Sequence, residues 1–231
     1  MEPIPIQHLM SAVLKNLREG TGFDKPAKLP ASLKGMCPEQ IVALLIQTYR
    51  TAVEQRGIAY IDITNAEAGR NIVDVVNWMY KTPAYRSTLF LQGTVGSGKS
   101  TILRDLHALY STLKESIRLC TAKDICNQYR WLRDSELNLY ESYKTTPTLF
   151  LDELGTEPVK FLHYGAEYTP IHDLIDYRYN RQLTTIITTN LSMDQLNERY
   201  GERIRDRFDE MCSVIQFSAP SYRGQVSPPA E

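Results

Sequence analysis

Gly93-Thr94-Val95-Gly96-Ser97-Gly98-Lys99-Ser100-Thr101 decides how this chain is read. Gly93, Gly98, Lys99 and Ser100 fit the phosphate-loop pattern G-x-x-x-x-G-K-[ST]. Glycines at these positions let backbone N–H groups converge on a phosphate chain. Lys99 is then aimed at the β- and γ-phosphates, and Ser100 at a Mg²⁺ ion. The flanks agree with this reading. Ser87 to Gln92 is β-rich and apolar, a buried strand. Thr101 to Lys114 carries Ile102, Leu103, Leu106, Leu109, Tyr110 and Leu113 at helical spacing. Strand, loop and helix follow in the order that sets the loop at a helix N-terminus, where the backbone dipole favours phosphate.

Further along, Thr148-Leu149-Phe150-Leu151 is a short apolar strand that ends on Asp152-Glu153, the Walker-B arrangement. Mg²⁺ keeps several waters and uses few carboxylates, so one aspartate, Asp152, suffices to hold it through water. Glu153 is then set to act as general base on the attacking water. Thr184 to Thr189 is strongly β-forming and ends on Asn190, which either orients that water and the γ-phosphate or simply starts a turn.

Strands and helices alternate through the rest of the chain. Helices are expected over Pro38 to Gly57, Asn71 to Lys81, Ala122 to Asp134, a second piece up to Tyr143, Tyr168 to Arg181, Met193 to Tyr200 and Gly201 to Met211. Strands are expected at Ser116 to Thr121 and Ser213 to Phe217. Such alternation implies an α/β fold with a mostly parallel sheet and ligands at the carboxyl ends of its strands. Before the loop, Ile6 to Glu19 shows an apolar helical stripe, a Gly/Pro/Lys-rich linker follows, and 58–65 reads as extended. The two N-terminal helices are either a small partner-binding unit or cover for the core. The expected division is a helical extension over 1–57, an ATPase domain over 58–223 and a flexible tail over 224–231.

The formal charge is −1, so nucleic acid must be met by a local patch or an assembled channel rather than by the global charge. Lys123, Arg130 and Arg133 are the residues placed for that, or are ordinary surface charges. The four cysteines (Cys37, Cys120, Cys126 and Cys212) form no C-x-x-C pair, which speaks against a zinc site or a disulfide framework and for a reducing, cytoplasmic setting. Neither a membrane span nor a secretory leader is expected. Val159 to Thr169 is aromatic and has no evident role. His163 and His172 read as surface or packing residues.

The Walker-B stretch Phe150 to Pro158 resembles that of the DnaC/DnaI helicase loaders and the IstB-like transposition helpers, both AAA+ ATPases. The likeness runs on through Arg178-Tyr179-Asn180, Thr185 to Ser192, Tyr200 to Arg207 and Ser221-Tyr222-Arg223. It implies a three-layer P-loop NTPase fold with a five-stranded parallel sheet in the order 5-1-4-3-2. The short remainder after Arg207 implies the absence of a C-terminal helical lid. By resemblance Asn190 is sensor 1, Arg207 the arginine finger with Arg203 next, and Arg223 the late sensor-2 arginine. ATP and Mg²⁺ are the implied cofactors. An ATP-dependent homo-oligomer is implied, which binds single-stranded DNA when assembled and acts on a replicative helicase. The alternatives are a transposase partner or, less fittingly, a small-molecule kinase or a nucleotide-binding module that does not hydrolyse.

Overall fold

The computed structural model describes residues 33, 35–55, 67–81, 86–130, 139–163 and 166–218. The expected helix over Ile6 to Glu19, the extended stretch 58–65, Arg133, Arg223 and the tail 224–231 lie outside these residues. So do parts of the expected division of the chain.

Five strands form one parallel sheet: β1 (Thr88–Gly93), β2 (Ile117–Thr121), β3 (Thr148–Leu154), β6 (Thr184–Thr189) and β7 (Cys212–Phe217). Their order is β2-β3-β6-β1-β7. Two short strands, β4 (Phe161–His163) and β5 (Ala166–Tyr168), pair only with each other in an antiparallel hairpin. Counting the main-sheet strands alone, the order is the expected 5-1-4-3-2. The hairpin occupies the aromatic stretch that has no role in the sequence reading.

Each face of the sheet carries helices because the strands alternate apolar side chains between the two faces. Leu89, Leu91, Phe150, Ile186, Ile215 and Phe217 face α1 (Pro38–Glu54), α2 (Glu67–Lys81) and α3 (Lys99–Thr112). Phe90, Leu149, Leu151 and Ile187 face the opposite layer. That layer holds α4 (Ala122–Arg130), α5 (Leu139–Thr145), α6 (Pro170–Asn180), α7 (Met193–Tyr200) and α8 (Glu202–Met211).

The helix ends carry their own signals. Pro38 begins α1 in its first turn, and the Gln40 side chain accepts the Cys37 N–H. Ser192 and Gln195 cap α7 reciprocally. Helix α1 packs on α2 and α3 through Ile41, Val42, Leu45 and Tyr49, all buried in the same cluster as the sheet. Each of these buried side chains contributes about 1.5–3 kcal/mol. On the other face α8 lays Phe208 edge-on against Phe90, ring centroids 4.9 Å apart, which anchors the arginine-bearing helix to β1, the strand that feeds the loop. Among the described residues no helix is long and apolar enough to cross a membrane.

Candidate nucleotide site

β1 runs directly into the loop. Gly93 has φ 151°, and a Cβ there would stand 2.0 Å from the Phe217 carbonyl oxygen on β7, so only glycine fits against that neighbour. Gly98, at φ 96°, turns the chain into α3. Thr94 and Val95 are exposed at the loop's outer edge, and Gly96 is half-buried. Ser97 is buried, and its Oγ donates to the Thr94 carbonyl at 2.8 Å. Lys99 Nζ donates to the Gly93 and Thr94 carbonyls at 2.8 and 2.6 Å, which lays its charge across the loop. The N-terminus of α3 opens onto the loop, and the first-turn N–H groups of a helix suit an anion.

Ser100 Oγ donates to Asp152 Oδ1 at 2.7 Å, and Thr188 Oγ1 donates to the same oxygen at 2.5 Å. Arg104 Nη2 approaches Asp152 Oδ2 at 3.5 Å. Asp152 itself is buried. A small hydroxyl–carboxylate cluster at the mouth of a phosphate loop is a donor set for a hydrated hard cation, so the residues fit Mg²⁺.

Glu153 is exposed and adopts φ 60°, a left-handed conformation uncommon outside glycine. The break in β3–β6 register between Leu151 and Leu154 falls at this residue. Its N–H donates to Thr188 Oγ1, and its carbonyl accepts from both the N–H and the Oγ1 of Thr156. Asn190 is exposed directly after β6, the strand between β1 and β3 in the sheet. Beside it, Gln92 Nε2 donates to the Leu191 carbonyl at 2.6 Å, and Gln216 donates to Gln92 Oε1. The carboxyl ends of β1, β3 and β6 are thereby brought together.

Arg203 and Arg207 lie one turn apart on α8, and both reach Asp176 of α6. Arg203 Nη2 is 2.8 Å from Oδ2, and Arg207 pairs with Oδ1. Arg207 also lies 5.3 Å from the Tyr179 ring centroid. The Arg207 side chain is 14% exposed and that of Arg203 75%, so Arg203 is the more open to a neighbour. Arg205 points elsewhere, to Asp209 and Asp194.

The sequence reading singles out neither Arg104, Thr188 nor Asp176. For Arg104 a signal exists: it is four residues after Ser100 and shares its helix face. Thr188 is likewise two residues before Asn190, on the same side of its strand. Nothing in the sequence pairs Asp176 with α8.

No protein-family model matches the chain. Among curated proteins it is similar to the replicative helicase loader DnaC of Escherichia coli (strain K12), 24% identical over 146 residues, 61% of this chain and 58% of DnaC. The match thus spans little more than half of that relative. The solved structure of a DnaC helicase loader superposes with a TM-score of 0.52 and 23% identity over 68% of this chain and 92% of the other. AMPPCP-bound DnaA from Aquifex aeolicus superposes at 0.51 and 16% identity, over 70% of this chain and 50% of DnaA. At such identities the superpositions speak for the fold alone. With the loop, the Walker-B strand and the sheet order in place, the chain has an α/β P-loop NTPase fold and is similar over part of its length to the DnaC helicase loader.

Proposed function

We propose that this chain is a Mg²⁺-dependent ATPase that works as a DnaC-like loader or remodeller of a replicative helicase. The observation that carries the nucleotide reading is the meeting of Lys99, Ser100 and Asp152 at the carboxyl ends of β1 and β3. The likeness to DnaC directs the choice of partner.

In this reading Lys99 and the N–H groups of the loop hold the phosphates. Ser100 and Asp152 would hold the cation. When bound, Mg²⁺ neutralises charge on the β- and γ-phosphate oxygens. Glu153 takes the proton of the attacking water, and Asn190 orients that water. Arg207, with Arg203 as the alternative, meets the γ-phosphate held by an adjacent copy. Arg223 is proposed as sensor 2. The region before the ATPase domain is proposed to carry partner contacts, with α1 serving the core. Assembly would line up exposed cations such as Lys123 for single-stranded DNA.

The test is direct. The purified chain should hydrolyse ATP with Mg²⁺ and not with EDTA, and it should co-purify with the replicative helicase of its host. Binding to single-stranded DNA should require ATP and fall with added salt. Absence of Mg²⁺-dependent nucleotide binding would remove the nucleotide reading. Recovery of a transposase in place of a helicase would reassign the partner.

A further inference from the structure

Glu157 is a buried carboxylate to which the proposed mechanism gives no task. The residue is 1% exposed and lies in the turn that leaves the Walker-B strand. Burying a carboxylate costs several kcal/mol unless donors surround it. Its donors come from two places. Glu157 Oε2 accepts the Gly155 N–H at 2.9 Å, within the turn. Glu157 Oε1 accepts the Tyr200 hydroxyl at the end of α7, and the Arg199 guanidinium lies 3.8 Å from the same oxygen. Arg199 also donates to the Glu157 carbonyl. Burial and the Glu157 carboxylate push the Tyr200 phenol well above its ordinary pKa, so it remains a donor.

The turn held in this way begins at Glu153, and the helix that holds it begins just beyond Asn190. A left-handed non-glycine residue persists only where its surroundings over-determine it. Here Thr188 and Thr156 bond the Glu153 backbone from either side, while Glu157 fixes the Gly155 amide two residues on. Gly155 abuts Leu191: a Cβ at 155 would stand 2.5 Å from Leu191 Cδ1. The turns after β3 and β6 are therefore seated on one another.

We infer that Glu157 and Tyr200 are positioning residues. Their buried hydrogen bond clamps the turn after β3 onto α7 and so sets Glu153 and Asn190 in fixed relation. The clamp is a statement about geometry. Its consequence for turnover rests on the reading of Glu153 as general base.

The experiment uses the full chain with Tyr200→Phe, Glu157→Gln and the double variant, each first checked by thermal melting. Should Glu157→Gln not fold, Tyr200→Phe, which deletes one oxygen, carries the test alone. Hydrogen exchange of peptides covering 153–158 should quicken about tenfold in Tyr200→Phe while those from β1 are unchanged, since tenfold corresponds to the loss of about one hydrogen bond. ATP turnover should show kcat down about tenfold with KM within about twofold, and the double variant no worse than the worse single one. Unchanged exchange over 153–158 overturns the clamp. Faster exchange with unchanged kcat overturns the positioning role. Faster exchange in a chain whose wild type binds ATP without hydrolysing it supports the clamp and removes the general-base reading of Glu153.

Discussion

Ser100 Oγ donates to Asp152 Oδ1 at 2.7 Å, a bond between the first turn of α3 and the end of β3. With Thr188 on the same oxygen and Arg104 near the other, three donors from two elements, α3 and β6, converge on one carboxylate. Asp152→Asn and Ser100→Ala should each weaken nucleotide binding in Mg²⁺ by about tenfold or more, and leave binding in EDTA nearly unchanged. Titration with a fluorescent ATP analogue reads this. Equal loss with and without Mg²⁺ would mean that the pair serves the fold and not the cation.

Lys99→Ala should abolish ATP binding or hydrolysis while the chain stays folded. The ammonium bonds to the loop carbonyls of Gly93 and Thr94 and more weakly to Ser97 Oγ, and its removal should leave the sheet intact. Circular dichroism and an ATPase assay check the two halves. Wild-type turnover in this variant would refute the assignment of the loop.

Glu153→Gln keeps the shape and removes the base. Turnover should fall by about 10² to 10⁴ with Mg–ATP affinity retained. The exposed side chain projects from a backbone held by Thr188 and Thr156, so the substitution should not move the melting temperature. Turnover equal to wild type would take Glu153 out of the mechanism.

Arg207→Ala should bind ATP nearly normally and hydrolyse it about 10³ to 10⁵ more slowly, the range for arginines that act in trans. Mixing it with Lys99→Ala should restore part of the activity, because one interface then pairs an intact loop with an intact arginine. Since Arg203 shares Asp176 and is the more exposed of the two, Arg203→Ala belongs in the same mixing experiment. Rescue by Arg203→Ala and not by Arg207→Ala would exchange their roles. Rescue by neither, in mixtures that assemble, would leave both as local partners of Asp176.

Arg178 is buried, and oxygens surround its guanidinium. Its guanidinium donates to the carbonyls of Tyr143, Lys144, Thr146 and Thr184 and to the Thr185 hydroxyl. Burial pushes its pKa down to about 9, so at neutral pH it remains a cation held by main-chain dipoles. Arg178→Met should cost about 3–5 kcal/mol, because the carbonyls at and just beyond the end of α5 and at the start of β6 lose their donor together. Urea unfolding measures it. A loss under about 1 kcal/mol would show that other groups take over those carbonyls.

The phosphate loop, the Walker-B strand and the alternation of strand and helix were legible in the sequence because each is a short-range signal. Glycines where the chain turns left-handed, an apolar run ending in an acid and a helical stripe all act over a few residues. The sheet order came from the resemblance and agrees with the fold. The partners of the site were not legible. Asp176 meets Arg203 and Arg207 from another helix, Tyr200 meets Glu157 from 43 residues away, and Arg178 is buried among main-chain carbonyls. An amphipathic stripe such as that of α1 says that one face is covered and not by what; the covering by α2 and α3 follows from packing. Sequence spacing thus determined which chemistry this chain carries, whereas the docking of helices on the sheet decided which buried charges meet. Those pairings depend on how distant segments pack, and local sequence does not encode the distance between them.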